Sequence, residues 1–557
     1  MTSDKKNISL LANLFLKSGL KNIIISPGSR NAPIIISFAN KPGITAYSIV
    51  DERSAAYMAL GMSLQTKKTT AIACTSGTSV LNYAPAIAEA YYQKVPLLVI
   101  TADRPSHLIH VGDGQTIKQK NVFSNYIKKS FELPLEISSE NDFKLAEKMI
   151  NEALMDCIHP EPGPVHINIP FDEPLYGTAK LQDEGTLVPY TENNNYNTVE
   201  IDNLADLINR SKKVMIIAGQ NSPNPELSMT LNNYSLNKNI VVLSETTSNL
   251  NGNLFIDTID NVISSIASEE SEQFQPDILI TFGGQVVSKM VKRYLRRFKP
   301  NQHIHISNSG EKLDTYLCLT KTITSKPLDV FEKASSIITP RDEEYINTWY
   351  SRKKECEKKR LQYLSQIKFC DLMVFNEILN YIPDDSVLHL GNSTPVRYSQ
   401  LFGSNRNINY QSNRGVSGID GQISTALGYS QNSDKLNILV TGDLGFHYDS
   451  NGLMNQYFPP NLKIIVINNQ GGGIFRFIPG PDTTPNLEKF FVAQHNWSAE
   501  YICKAYNIDY QKCKNNDNIS IIIADFINDK STAVLEIFTP KDANSKVLRD
   551  YFSFLKS

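Results

Sequence analysis

At 557 residues the chain is too long for one hydrophobic core, and its length suggests about three or four domains. With 41% hydrophobic residues, 20% charged residues and a formal net charge of -2, it lacks the basic excess that nucleic-acid binding requires. Seven scattered cysteines, an odd number without a CxxC pair, fit a reducing compartment better than a disulfide framework.

In chain order, residues 1–22 predict a short amphipathic helix with charges inside it, unlike a secretory signal. No apolar run reaches the roughly 18–20 residues of a membrane span, so a cytoplasmic location is expected. Apolar, β-branched runs follow at 22–26 (NIIIS), 70–75 (TAIACT), 95–101 (VPLLVIT) and 165–169 (VHINI). The stretch 177–200, with its NNNYN tract, has no periodicity and reads as a linker. A second set of runs lies at 214–219, 239–244, 277–282 and 303–307. A charged helix over 345–366 then leads to a third set at 386–390, 437–441, 462–468 and 533–537. Within that helix KKECEKKR (353–360) is interrupted by glutamates and reads as a solvated face, not a nucleic-acid contact. Runs of this kind alternating with helices predict an α/β chain of three doubly wound parallel-sheet domains.

The most informative pattern is in the last third. The run NILVT leads into Gly442, Asp443 and Leu444, and LKIIVI leads into Asn468, Asn469, Gln470 and Gly471 to Gly473. Asp443 and Asn469 are 26 positions apart (469 minus 443), enough for one crossover helix between neighbouring parallel strands. Both then emerge at the carboxyl edge of one sheet, where α/β proteins bind ligands. Magnesium takes hard oxygen ligands and is commonly shared between a carboxylate and phosphates, which Asp443, the Asn469 amide oxygen and the Gly471 carbonyl can provide. Glycine-rich backbone at strand ends also offers N–H groups to a diphosphate. Singly, a GD after a strand or an NN before glycines is often only a turn; the pairing is what points to binding.

On these residues the chain resembles the thiamin-diphosphate-dependent enzymes, whose GD…NN signature binds magnesium and the cofactor's diphosphate. Leu444 stands where most members have a third glycine, and the branch that joins decarboxylated 2-oxoglutarate to isochorismate in menaquinone synthesis tolerates leucine there. Further blocks resemble that branch: 26–31 (SPGSRN), 74–79 (CTSGTS), 101–105 (TADRP), 114–117 (GQTI), 391–397 (GNSTPVR) and 413–421 (NRGVSGIDG). The matches are densest in the first 125 residues and from about 386 to 480.

The resemblance implies a pyrimidine-binding domain over 1–180, a central scaffolding domain over 195–340 and a diphosphate- and metal-binding domain over 360–557. It implies that Glu52, in VDERSAAYMALG, is the acid against the cofactor's aminopyrimidine; the bland reading is an acid favouring a helix N-terminus. Asp443, Asn469 and the Gly471 carbonyl would hold Mg2+ or Mn2+. Ser393, Ile419, Gly442, Leu444, Ile474 and Phe475 would line thiamin diphosphate, with Ile419 as the wedge beneath it or else a core residue. Arg397 and Arg414 would hold the distal carboxylate of 2-oxoglutarate. Ser29, Arg30, Arg104, Gln115 and Lys289 would hold isochorismate, with Gln115 also catalytic. Met290 takes the place of an expected arginine, which leaves Arg293 either as the alternative contact or as a surface residue.

The implied reaction is decarboxylation of 2-oxoglutarate on thiamin diphosphate and 1,4-addition of the succinyl carbanion to isochorismate. The implied assembly is a homodimer, doubled to a homotetramer, with no nucleic acid and no membrane partner. The alternatives are another carboligase of the same cofactor, such as an acetolactate synthase, a nicotinamide-dependent dehydrogenase, or a non-catalytic binding protein. A glycine fingerprint for a nicotinamide cofactor is absent after the first strands of all three sets.

Overall fold

The computed structural model describes residues 1–180, 183–189, 198–404, 407–514, 518–530 and 533–557. These residues form two compact units. The first consists of Met1–Asn193, Asn413–Asp434 and His447–Leu462, and the second of Asn194–Ser412, Lys435–Phe446 and Lys463–Ser557.

The first unit is built on a six-stranded sheet in the spatial order β3 (Thr45–Ser48), β2 (Asn22–Ile25), β4 (Thr70–Cys74), β5 (Leu97–Asp103), β7 (Pro164–Pro170), β6 (Lys129–Glu132). Every neighbouring pair is parallel. Helices cover its faces, which is why β4 and β5 are buried along their whole length and read as continuous apolar runs. A short ribbon, β1 (Thr2–Ser3) with β8 (Thr178–Ala179), pairs antiparallel, so the predicted linker begins as a strand. The NNNYN tract lies outside the described residues.

The helices Glu52–Thr66 and Gln422–Ser430 cross in this unit at two glycines. A Cβ on Gly61 would stand 2.0 Å from the Thr425 carbonyl oxygen, and one on Gly428 would stand 1.9 Å from that of Met58. Only hydrogen fits at either contact.

Asp449 lies in the same unit, fully buried. Its carboxylate accepts the Ser424 backbone N–H (2.8 Å) and hydroxyl (3.0 Å). Burial pushes its pKa up to about 7, against the opposing pull of the Ser424 bonds and Arg53. Between about pH 4 and pH 7 the folded chain therefore keeps a proton that the unfolded chain has released, and this group's contribution to stability falls as pH rises through that window. In Asp449→Asn the amide can still accept the Ser424 N–H and donate to its hydroxyl. The variant is expected to gain on the parent by up to about 4 kcal/mol from pH 4 to pH 8. A melting-temperature difference that stays constant across that range would refute the assignment.

The second unit holds two sheets. One runs β10 (Val241–Ser244), β9 (Val214–Ala218), β11 (Ile278–Phe282), β12 (Gln302–Ser307), β13 (Lys321–Thr324). The other runs β15 (Asn409–Gln411), β14 (Val387–Leu390), β16 (Asn437–Gly442), β17 (Leu462–Asn468), β19 (Ala533–Phe538), β18 (Asp509–Cys513). Parallel pairing again prevails. Together with the first sheet these give the expected three parallel-sheet α/β layers.

The predicted charged helix forms over Glu344–Leu364, but its basic cluster is not wholly solvated. Lys353 is buried, with Nζ 2.7 Å from Asp257 and 2.8 Å from the Phe255 carbonyl, and Cys356 beside it faces the core. Among the described residues no helix is long and apolar enough to cross a membrane, and all seven cysteines are free thiols.

Candidate active site

In the second unit, β16 and β17 lie side by side and deliver Asp443 and Asn469 to the same sheet edge. Asp443 opens a short helix and is 2% exposed; Asn469 is 5% exposed. Asp443 Oδ1 accepts the Leu444 N–H (2.7 Å) and Oδ2 accepts the Gly471 N–H (2.9 Å). His495 Nε2 stands 3.3 Å from the same Oδ2. The Trp497 backbone N–H donates to His495 Nδ1 (3.1 Å), which leaves Nε2 as the ring nitrogen facing Asp443. Gly471 has φ +140°, and a Cβ there would meet the Val492 carbonyl oxygen at 2.6 Å.

Asn469 Nδ2 donates to Asp371 (2.9 Å), whereas Asn469 Oδ1 is a buried acceptor with no hydrogen-bond partner. A buried oxygen left over beside a buried carboxylate is what a hard cation would satisfy. The Gly471 carbonyl accepts the Gly473 N–H (2.9 Å) and keeps a second lone pair. At Gly442 a Cβ would meet nothing within 4 Å, so there is open room at the strand end. The residues present thus fit a cation carrying a diphosphate. Ile474 and Phe475 follow in a half-buried turn, with the Phe475 ring 5.9 Å from that of Phe491.

Ser393 precedes the helix Thr394–Ser399 with φ +76°. On that helix Arg397 Nη1 donates to the Val287 carbonyl (3.4 Å), which brings it beside the segment carrying Lys289. Burial pulls the Arg397 pKa down, while the nearby Asp260 and Glu245 carboxylates oppose that shift. Glu245 is buried and accepts the Val287 and Ser288 N–H groups, both at 2.6 Å. Lys289 and Arg293 are exposed, and Met290 is half-buried.

The first unit gathers the other candidates. Glu52 begins the helix Glu52–Thr66, but the capping side chain is its neighbour Asp51, which accepts the Ser54 N–H at 3.0 Å. Glu52 instead takes the Ser79 hydroxyl on Oε1 (2.6 Å), with Asn82 Nδ2 3.5 Å from Oε2. Glu52 thus sits in the first turn of its helix, where an acid is favoured, and turns its carboxylate to Ser79 and Asn82. The ends of β2, β4 and β5 bring together Ser29, Arg30, the 74–79 turn and Arg104. Arg30 is buried, donating to the Phe171 carbonyl (3.1 Å) and pairing with Glu173 (3.2 Å). Ser29 is exposed, and Arg104 pairs with Asp113 (3.0 Å). Gln115 is exposed; its carbonyl accepts the Ser76 hydroxyl (3.0 Å) and its Nε2 donates to the Ser76 carbonyl (3.3 Å). Beneath them the buried Gln119 accepts the Gly77 N–H (3.0 Å).

The 413–421 loop seats on two helices of the same unit. Glu89 accepts the Gly415 (2.5 Å) and Val416 (2.8 Å) N–H groups, and Asp420 accepts the Tyr57 hydroxyl (2.7 Å). A Cβ on Gly415 would come 2.4 Å from the Glu89 carbonyl oxygen, and one on Gly421 would come 2.2 Å from the Tyr57 ring. The glycines of this motif are thus steric requirements. Arg414 is 5% exposed and helps hold down the pKa of Glu89, which burial raises. Ile419 is half-buried.

Ser29, Arg30, Glu52, Arg104, Gln115, Arg414 and Ile419 therefore lie in the first unit; Lys289, Ser393, Arg397, Gly442, Asp443, Leu444, Asn469, Gly471, Ile474 and Phe475 lie in the second. The sequence reading missed Glu89, Gln119, Glu245, Asp371 and His495. Only Glu89, a lone acid in the apolar helical stretch AIAEA, carried a visible signal.

Three family models match the chain in succession. They are the thiamine pyrophosphate enzyme N-terminal TPP-binding domain (residues 8–127), the middle domain of thiamine pyrophosphate enzymes (181–390) and the C-terminal TPP-binding domain (391–537). The class is thus that of the thiamin-diphosphate enzymes. Similar curated proteins include the 2-succinyl-5-enolpyruvyl-6-hydroxy-3-cyclohexene-1-carboxylate synthases of Christiangramia forsetii (42% identical, 98% of each chain) and Flavobacterium johnsoniae (42%, 96% of each). That of Bacteroides thetaiotaomicron is 38% identical over 100% of each chain. The chain belongs to this synthase family.

Proposed function

We propose that the chain decarboxylates 2-oxoglutarate and adds the four-carbon remainder to isochorismate, giving the cyclohexene carboxylate for which its relatives are named. The observation that carries the reading is the buried, unpartnered Asn469 Oδ1 beside Asp443 at adjacent strand ends. Thiamin diphosphate, when bound, supplies the electron sink that lets a 2-oxo acid lose carbon dioxide. Asp443, Asn469 and the Gly471 carbonyl hold Mg2+, or Mn2+ in its place, and Gly442, Leu444, Ser393, Ile419, Ile474 and Phe475 shape the room around the cofactor. Glu52 exchanges a proton at a carboxylate oxygen. Arg397 and Arg414 bind the distal carboxylate of 2-oxoglutarate. Ser29, Arg30, Arg104, Gln115 and Lys289 orient isochorismate, whose carboxylates compete with Glu173 and Asp113 for the two arginines. The domains we assign are 1–180, 195–340 as scaffold, and 360–557.

The working assembly is a cytoplasmic homodimer, or its doubling to a tetramer, in which Glu52 of one chain serves the metal-holding pair of the other. Val50, Leu81 and Val416, exposed apolar side chains on the segments carrying Glu52, Ser79 and Arg414, support an association surface there. An active species that sediments as a monomer would rule this out.

The test is a calorimetric titration of metal-stripped protein with thiamin diphosphate, with and without Mg2+. Magnesium is expected to tighten binding, and Asp443→Ala to lose roughly 2–5 kcal/mol of that gain. Undiminished magnesium-dependent binding would remove Asp443 from the site. Carbon dioxide release from pyruvate equal to that from 2-oxoglutarate would move the chain to another carboligase.

A further inference from the structure

Behind Asn469 lies a further buried acid. Asp371 begins the helix Asp371–Tyr381 and is 1% exposed. Its Oδ2 accepts Asn469 Nδ2–H at 2.9 Å, and its Oδ1 accepts the Thr539 hydroxyl at 2.5 Å. Its own backbone N–H donates to Asn544 Oδ1 at 2.8 Å. Thr539 follows β19, and its N–H donates to the Asn468 carbonyl (3.0 Å), so the acid and the Asn468–Asn469 turn are held by the same strand end.

A primary amide can present either its oxygen or its NH2 to a neighbour, and both Asp371 oxygens act as acceptors in the contacts they make, Oδ2 from Asn469 and Oδ1 from Thr539. Asp371 therefore decides the question for Asn469: the NH2 must turn toward the acid, and Oδ1 must turn away. Oδ1 is buried, and no group among the described residues satisfies it. Rotated the other way, Asn469 would set two N–H donors where a cation needs an oxygen, and would leave its carbonyl against a carboxylate.

We infer that Asp371 is a positioning residue of the cation centre, orienting the Asn469 amide so that Oδ1 faces the metal. The inference rests on the assignment of Asp443 and Asn469 as cation ligands. The competing role, an acid at the start of a helix, predicts lost stability with unchanged metal affinity.

Magnesium affinity is measured by calorimetry in saturating thiamin diphosphate for the parent, Asp443→Ala, Asp371→Ala, Asp371→Asn and Thr539→Val, with thermal melts alongside. Asp371→Ala is expected to bind Mg2+ about 10- to 100-fold more weakly, the usual effect of losing a partner that orients a ligand. Asp371→Asn keeps the shape but can donate as well as accept, so it no longer forces one amide orientation. It should fold like the parent and lose about 3- to 10-fold, less than the alanine variant. Thr539→Val removes a bond to Asp371 without touching Asn469, and is expected to lower the melting temperature while leaving Mg2+ affinity at the parent's value. Parent-like Mg2+ affinity in Asp371→Asn and in any folded Asp371→Ala would overturn the inference. If instead the parent takes up no Mg2+, or Asp443→Ala takes it up unchanged, the cation site itself is misassigned.

Discussion

Gly61→Ala is expected to cost about 3 kcal/mol or more and to deplete the folded enzyme, although alanine is the better helix former by about 1 kcal/mol. Two effects compete. Removing glycine from the middle of the helix Glu52–Thr66 stiffens it favourably. Against that, the new methyl would stand 2.0 Å from the Thr425 carbonyl oxygen and 2.7 Å from the Tyr429 nitrogen, both backbone atoms that cannot rotate aside. Relief requires the two helices to separate, and their neighbours are packed against them. Gly428→Ala carries the same penalty from the other side of the crossing, at the Met58 carbonyl. Urea and thermal melts of both variants read the effect. A Gly61→Ala chain that melts with the parent would mean the helices are not in contact at these residues.

Glu52→Gln is expected to lower product formation about 10²- to 10⁴-fold, the range a positioned proton-transfer group contributes. The carboxamide keeps the shape of the acid and an oxygen for the Ser79 hydroxyl, so the melting temperature should stay close to that of the parent. Because Asp51 caps the helix, the loss could not be assigned to a frayed N-terminus. Turnover within about 10-fold of the parent, with thiamin diphosphate bound, would remove Glu52 from the proton path. Steady-state carbon dioxide release and a thiamin diphosphate titration together separate lost chemistry from lost binding.

Each apolar run in the sequence became a strand, because a strand covered on both faces must be apolar throughout. The strands the sequence concealed in the three large sheets are β3, β6, β13, β15 and β18, and all five are edges. An edge strand is half-solvated, so TAYS, KSFE, KTIT, NYQ and DYQKC carry too little apolar signal to be read. That Asp443 and Asn469 meet at one sheet edge was legible, because each directly follows an apolar run that reads as a strand. Asp371 and Glu245 were not, since each works through a partner far along the chain; Asp371 and Thr539 are 168 positions apart. Lys353 was misread for the same reason: a buried lysine is told from a solvated one only by Asp257, which a local window does not contain.

The first compact unit is discontinuous, and this bears on how the chain can be made. A ribosome that has released residues 1–193 has produced the whole six-stranded sheet but none of the material that Glu89, Tyr57 and Gly61 contact in 413–429. Until translation passes residue 429, that nascent sheet carries an apolar helix face and a carboxylate awaiting amide donors. Early termination in the middle of the message would therefore leave an aggregation-prone fragment, not a smaller soluble protein.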